Sequence, residues 1–152
     1  YDPHVEDHFR VSQQGLYLEP KFREGFAVLE KLGLTFDAFL YASQLSDLLS
    51  LATTFPRTQI ILNHLATPAC ALGDIETAPD YEGKQEEIVT RWKEQMAQIA
   101  NKCPNVSVKL GGLIPQLGHG FSQRDVPVTS SEVANVFGEI CTWTIRTFGP
   151  AR

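Results

Sequence analysis

The apolar positions of this chain recur in two rhythms that alternate along its length. Residues 1–18 are mixed and polar and read as loop. Phe22, Phe26, Leu29 and Leu32 then follow at spacings of four and three, the repeat of one helix face. Pro20 opens that stretch and Gly33 closes it, a placement that predicts a helix from Pro20 to Gly33. "LTFDAFLY" (34–41) is short, aromatic and β-prone, and predicts a strand. Ser43 is placed to cap a second helix that turns Leu45, Leu48, Leu49 and Ala52 inward and stops at Pro56. "QIILNH" (59–64) reads as the next strand, followed by a long loop over 65–83.

The alternation continues. Val89, Trp92, Met96, Ile99 and Cys103 mark a third amphipathic helix from about Gln85 to Lys102. "NVSVKL" (105–110) predicts a third strand, and a glycine-rich loop spans 111–128. Thr129 and Glu132 have capping-box spacing ahead of a last helix carrying Val133, Val136, Phe137, Ile140, Trp143, Thr144 and Phe148. No hairpin signal joins any two strands. Each pair is separated by a helix long enough for a crossover, so the strands are expected to be parallel and the fold α/β. "IIL" is apolar throughout, as in a strand covered on both faces. Three parallel strands alone would leave two open edges, so the pattern points to part of a doubly wound sheet or of a closed (β/α)8 barrel. An isolated piece of this kind is expected to be marginally stable.

Composition narrows the function. Apolar residues make up 43% and charged residues 20% of the 152, a globular balance. The net charge of −5 argues against nucleic acid or an anionic membrane as main partner, and no apolar run approaches a membrane span. Cys70, Cys103 and Cys141 form no CxxC pair and suit a reduced, cytoplasmic setting. The chain opens on Tyr-Asp-Pro-His and stops at "FGPAR" straight after a helix pattern, which reads as a piece of a longer protein.

In α/β folds, chemistry gathers at the carboxyl ends of the strands. That directs attention to Tyr41–Gln44, Asn63–Thr67 and Lys109–Gly112. Alternation puts Ile60, Leu62 and His64 on one face, and turns Ser107 and Lys109 away from Val106, Val108 and Leu110. His64 could ligate a metal, act as general acid or base, or bond loop backbone. A metal site needs three or four ligands, and His4, His8 and His119 are the other histidines, in no HxH or HExxH arrangement. Lys109 is either a snorkelling surface residue or an electrophile for an anionic substrate. Arg124 is either a solvated cation or a bidentate grip on a carboxylate. The loop lacks GxGxxG and the chain lacks GxSxG, which excludes the nucleotide-loop and serine-hydrolase readings.

The stretch "FREGFAVLEKLGLTFDAFLYASQLSDLLSLATTFPRTQIILNHLATP", with "WKEQMAQIANKCPNVSVKLGGL" and "IRTFGPAR", resembles the amidohydrolase-related family of TIM-barrel hydrolases. That family includes sugar-lactone hydrolases and the 2-pyrone-4,6-dicarboxylate lactonase. The resemblance implies a partial (β/α)8 barrel in which the three strands are the fifth, sixth and seventh. The first four would precede Tyr1 and the eighth would begin after Arg152. The family's HxH pair and catalytic aspartate would then fall outside this chain. Relatives often read "LYHPQL" where this chain has "LYASQL", so Ala42 stands in place of a histidine, and Ser122 stands where they often carry another. The resemblance implies hydrolysis of a lactone or similar cyclic ester of a carboxylate or sugar acid. His64 would polarise the carbonyl or bind a divalent ion, while Lys109, Arg124 and Tyr41 would hold an anionic small molecule. Zinc or manganese is compatible with it, and so is a metal-free site. A decarboxylase of the same superfamily and a catalytically inactive remnant are the alternatives.

Overall fold

Three short strands make the centre of the molecule. They are β1 (Phe36–Ala38), β2 (Ile60–Leu62) and β3 (Val106–Val108), parallel and in the order β1-β2-β3. Around them run α1 (Pro20–Leu32), α2 (Leu45–Thr54), α3 (Gln85–Lys102) and α4 (Ser130–Phe148). This computed structural model describes residues 14–68, 83–112, 121 and 124–152. His4, His8, Cys70, His119 and Ser122 lie outside the described residues.

The register explains the burial. Phe36, Ile60 and Val106 lie side by side, as do Ala38, Leu62 and Val108, and these six residues join the hydrophobic core with the helices. Asp37, Ile61 and Ser107 form the row between them and point to the other side. Asp37 is exposed, Ile61 and Ser107 are half-buried, and Lys109 continues that row as an exposed residue. One face is therefore packed under helices, and the other is polar and open. A doubly wound sheet would need apolar cover on both faces, so the arrangement is that of an open segment of a (β/α)8 barrel. The apolar run "IIL" packs on one face only: Ile60 and Leu62 are fully buried and Ile61 is not.

The helical stripes fall where the spacing puts them, with exceptions. Trp92, Met96, Ile99 and Cys103 are buried, as are Phe137, Ile140, Thr144 and Phe148. Thr129 caps α4: its Oγ1 accepts from the Glu132 amide at 3.3 Å, and a Glu132 carboxylate oxygen accepts from the Thr129 amide at 2.8 Å. Leu32 departs from its stripe and stands exposed at the end of α1, while Leu51, outside the expected set of α2, is fully buried. Ser43 does not cap α2. Ala42–Gln44 form a tight turn, Gln44 takes the cap position with its Oε1 turned back to accept from the Tyr41 amide at 3.3 Å, and the helix starts at Leu45. Residues 16–18, expected as loop, form a helical turn that buries Tyr17. Burial pushes the Tyr17 phenol up to about 12.

The strands are half the length that alternation suggested, because chain direction changes soon after each third rung. At the amino end, the Asn105 side-chain nitrogen lies 3.2 Å from the Ala52 carbonyl, 3.1 Å from that of Phe55 and 3.1 Å from that of Thr58. It thereby ties the end of α2 and the turn into β2 to the start of β3. Arg152 does similar work for the last two helices. Its guanidinium donates to the carbonyls of Phe148, Cys103 and Ala100, and its own carbonyl accepts from the Val108 amide at 2.8 Å. That last bond lies on the edge of β3 away from β2.

Candidate active site

Past Leu62 the chain does something the strand pattern conceals. His64, Leu65, Ala66 and Thr67 take φ values of 52°, 56°, 58° and 35°. Among the described residues, these are the non-glycine residues with positive φ. Left-handed backbone costs an L-residue roughly 1–2 kcal/mol each, so a run of this kind persists only where its surroundings hold it. "QIILNH" is thus a strand only to Leu62, and His64 belongs to the turn rather than to the face of Ile60 and Leu62.

The holds come from three neighbouring elements. The Lys109 amide donates to Leu62 O at 2.9 Å and the Leu65 amide to Lys109 O at 3.2 Å, carrying the β2–β3 ladder into the turn. The Ala42 amide donates to Thr67 O at 3.4 Å, joining the loop after β1 to the same turn. The indole N–H of Trp92, on α3, donates to Leu65 O at 2.7 Å inside the core. Within the turn the Thr67 amide closes on His64 O at 2.8 Å.

The imidazole of His64 is fixed as well. Its Nδ1 lies 2.6 Å from the Gly111 carbonyl oxygen. A carbonyl only accepts, so Nδ1 carries the proton and Nε2 is the atom left for chemistry. Phe39 meets the ring edge-on, with centroids 5.7 Å apart and planes at 82°. Gly112 lies against the ring so closely that a Cβ there would overlap Nδ1 and Cε1, and its φ is +73°. Glycine is required at this position on both counts. The buried Oδ1 of Asn63, at the start of the turn, has no hydrogen-bond partner among the described residues.

The other sequence-predicted residues are distributed around this turn. Lys109 sits on the open face as expected, where its Nζ pairs with Asp37 at 3.0 Å across the width of the sheet. Asp37 lies within a strand rather than at its carboxyl end, and alternation in "TFDAF" turns it away from Phe36 and Ala38. Tyr41 is 6% exposed and meets Phe39 at a tilt of 48° with centroids 6.4 Å apart, one residue before the amide that bonds Thr67. Arg124 lies over the Phe121 ring at 4.9 Å and pairs with Glu132 at 2.8 Å. There it braces the cap of α4. The Thr129 amide, then Arg124 and the Thr129 hydroxyl, draw the Glu132 carboxyl down from 4.5 to about 2. The structure thus brings His64, Lys109 and Tyr41 to linked loops at one end of the sheet, and gives Arg124 a partner of its own at the start of α4.

A metal centre would need more than His64 supplies. Nε2 is a chemically suitable donor whose other nitrogen is already oriented by Gly111, but the described residues contain no group of three His, Cys, Asp or Glu able to surround an ion. They do not by themselves make a metal site. Cys103 and Cys141 are free thiols, both pushed up by burial, and Cys103 packs in the core as a small hydrophobe. Among the described residues no helix is long and apolar enough to cross a membrane.

Comparison with known proteins places this geometry in a class. Residues 5–140 match the amidohydrolase family, and the chain belongs to that family. The curated "Uncharacterized protein y4mH" of Sinorhizobium fredii is 35% identical over 94 residues, covering 62% of this chain and 27% of that protein. An amidohydrolase from Burkholderia multivorans with bound HEPES superposes with a TM-score of 0.69 at 19% identity, over 97% of this chain and 44% of that one. A second crystal form of it, with bound zinc, gives 0.67 at 20% identity. Amidohydrolase 2 from Bifidobacterium longum subsp. infantis gives 0.53 at 22% identity, over 90% of this chain and 40% of that one. At these identities the superpositions show the fold. The chain spans less than half the length of the relatives it matches.

Proposed function

We propose that this chain carries part of the active site of a hydrolase that opens a lactone, or a similar cyclic ester of a carboxylate or sugar acid, with His64 as the group that polarises the ester carbonyl. The observation that carries the reading is the fixed ring: Nδ1 bonded to Gly111 O leaves Nε2 as the working atom, presented by a strained turn at the carboxyl end of a parallel strand. Strain of this kind concentrates where a side chain must be held for function. Family membership favours a hydrolytic reaction.

The ring's chemistry follows from its protonation. As the imidazolium, His64 offers Nε2–H to the carbonyl oxygen and stabilises negative charge as water adds. Such a donor is worth on the order of 10²–10³ in rate. The water-activating carboxylate implied by the family pattern would come from a strand outside these residues, as would the remaining barrel strands. Lys109 is the proposed grip for an anionic substrate: its ammonium now rests on Asp37 and would exchange that partner for the substrate carboxylate. Tyr41 walls the same loops. Arg124 would contribute only by leaving Glu132. The cysteine pattern favours a reduced, cytoplasmic setting, the family reading allows a divalent ion such as zinc or manganese, and no step above depends on either.

The test is His64→Ala in the intact protein, assayed for ring opening of sugar-acid lactones. Loss of hydrolysis by roughly 10²-fold or more with the circular dichroism spectrum retained is expected. Unchanged turnover in the variant would sink the assignment. Release of carbon dioxide in place of ring opening would move it to a decarboxylase.

A further inference from the structure

Trp92 occupies a place on α3 that any large apolar residue could fill. It is 1% exposed, continues the stripe of Met96 and Ile99, and packs its ring on Trp143 of α4 with centroids 5.2 Å apart. What distinguishes it from a phenylalanine is the indole N–H, and that N–H is spent on the carbonyl of Leu65. We propose that Trp92 is a positioning residue for His64: its N–H holds the Leu65 carbonyl and thereby keeps the left-handed turn that aims the imidazole.

The argument rests on the balance of forces in the turn. All of its residues from His64 to Thr67 hold positive φ without a glycine among them, so the backbone is pulled toward ordinary conformations at every step. The contacts resisting that pull are unequal. The Ala42 amide reaches Thr67 O at 3.4 Å and the Leu65 amide reaches Lys109 O at 3.2 Å; the Lys109 amide holds Leu62 O at 2.9 Å before the turn, the Thr67 amide closes within it on His64 O at 2.8 Å, and the indole, from outside, reaches Leu65 O at 2.7 Å. It also acts at the residue next to His64, from a ring whose tilt is set by the packing of α3 on α4. Without it the Leu65 carbonyl would be buried with one fewer donor. The peptide would be free to rotate, and His64 Nδ1 would lose its registry with Gly111. The packing of two helices is in this way converted into the orientation of one ring. The idea rests on the reading of His64 as the reacting group.

The experiment uses the intact protein with the benzothienyl analogue of tryptophan placed at position 92, in which sulfur replaces the N–H while ring size and stacking remain. Trp92→Phe serves as a second variant. Three quantities are read: the 15N resonances of His64, kcat and KM on the lactone, and the melting temperature. In the analogue, the His64 resonances are expected to lose the signature of a single Nδ1–H tautomer. The kcat should fall roughly tenfold, with KM little changed and melting close to the parent. His64 resonances identical to the parent's would overturn the proposal whatever the melt shows, because Trp92 would then only pack. His64→Ala with unchanged turnover would remove the catalytic reading yet leave the resonance comparison standing, so the two failures are told apart.

Discussion

The two ends of β2 solve the same problem in opposite ways. At its amino end, carbonyls from the end of α2 and the following turn converge on the side chain of Asn105. At its carboxyl end, the Leu65 carbonyl is met by the indole of Trp92. At both ends, backbone carbonyls are met by a side-chain donor from a neighbouring element, as buried polar groups must be. The backbone around Asn105 has ordinary negative φ, while four residues in succession beside Trp92 do not. One end is held so that the fold closes. The other is held so that a particular ring faces a particular way, at a cost in backbone strain that the first end does not carry. The difference separates the scaffold from the candidate site without reference to any substrate.

That contrast can be broken at its carboxyl end first. Gly112→Ala puts a methyl group where the His64 ring now lies and asks alanine for a φ of +73°. We expect kcat to fall by about 10²-fold, the scale set by misplacing a reacting group by an ångström, in a protein that still folds. Full activity in that variant would show that the ring has freedom the structure denies it. At the amino end, Asn105→Ala should do the reverse. Urea denaturation should report a loss of about 1–3 kcal/mol for carbonyls stripped of their donor, with turnover per folded molecule unchanged. A drop in turnover matching the G112A effect would mean the two ends are not separable.

The smallest effect lies at the cap of α4. Glu132 is held near 2 against an ordinary 4.5, so the folded state binds its proton less readily than the unfolded chain. The stability it contributes is present above about pH 4.5 and is lost as pH falls toward 2. Glu132→Gln should lower the urea midpoint slightly above about pH 4.5 and flatten its pH dependence as pH falls toward 2. An unaltered acid slope would mean that the Arg124 and Thr129 contacts do not persist in solution.

How much of this was legible from the residues depends on whether local pattern or tertiary contact decided it. The stripes of α3 and α4, the Thr129 capping box and the parallel order of the strands all come from spacing, and all stand. Asp37 was equally legible in the alternation of "TFDAF" and was passed over. The turn at His64 was not legible: left-handed backbone usually announces itself with glycine or asparagine, and "HLAT" offers neither in those positions. Its conformation is imposed by Lys109, Ala42 and Trp92, which are distant in sequence. For the same reason Trp92 looked like one more core residue, since the stripe shows that its ring is buried and says nothing of where its N–H points. Leu32 keeps the spacing of the α1 stripe yet stands exposed at its last position, which spacing alone does not reveal.

Arg152 carries a consequence for the order of synthesis. The guanidinium that satisfies the Ala100 carbonyl lies 52 residues later in the chain. At translation rates of about 5–20 residues per second, the end of α3 waits roughly 3–10 s for that partner. During that interval β3 has β2 on one side and nothing from Arg152 on the other. The last of these residues to leave the ribosome therefore acts as a latch, closing two helix ends and one strand edge together.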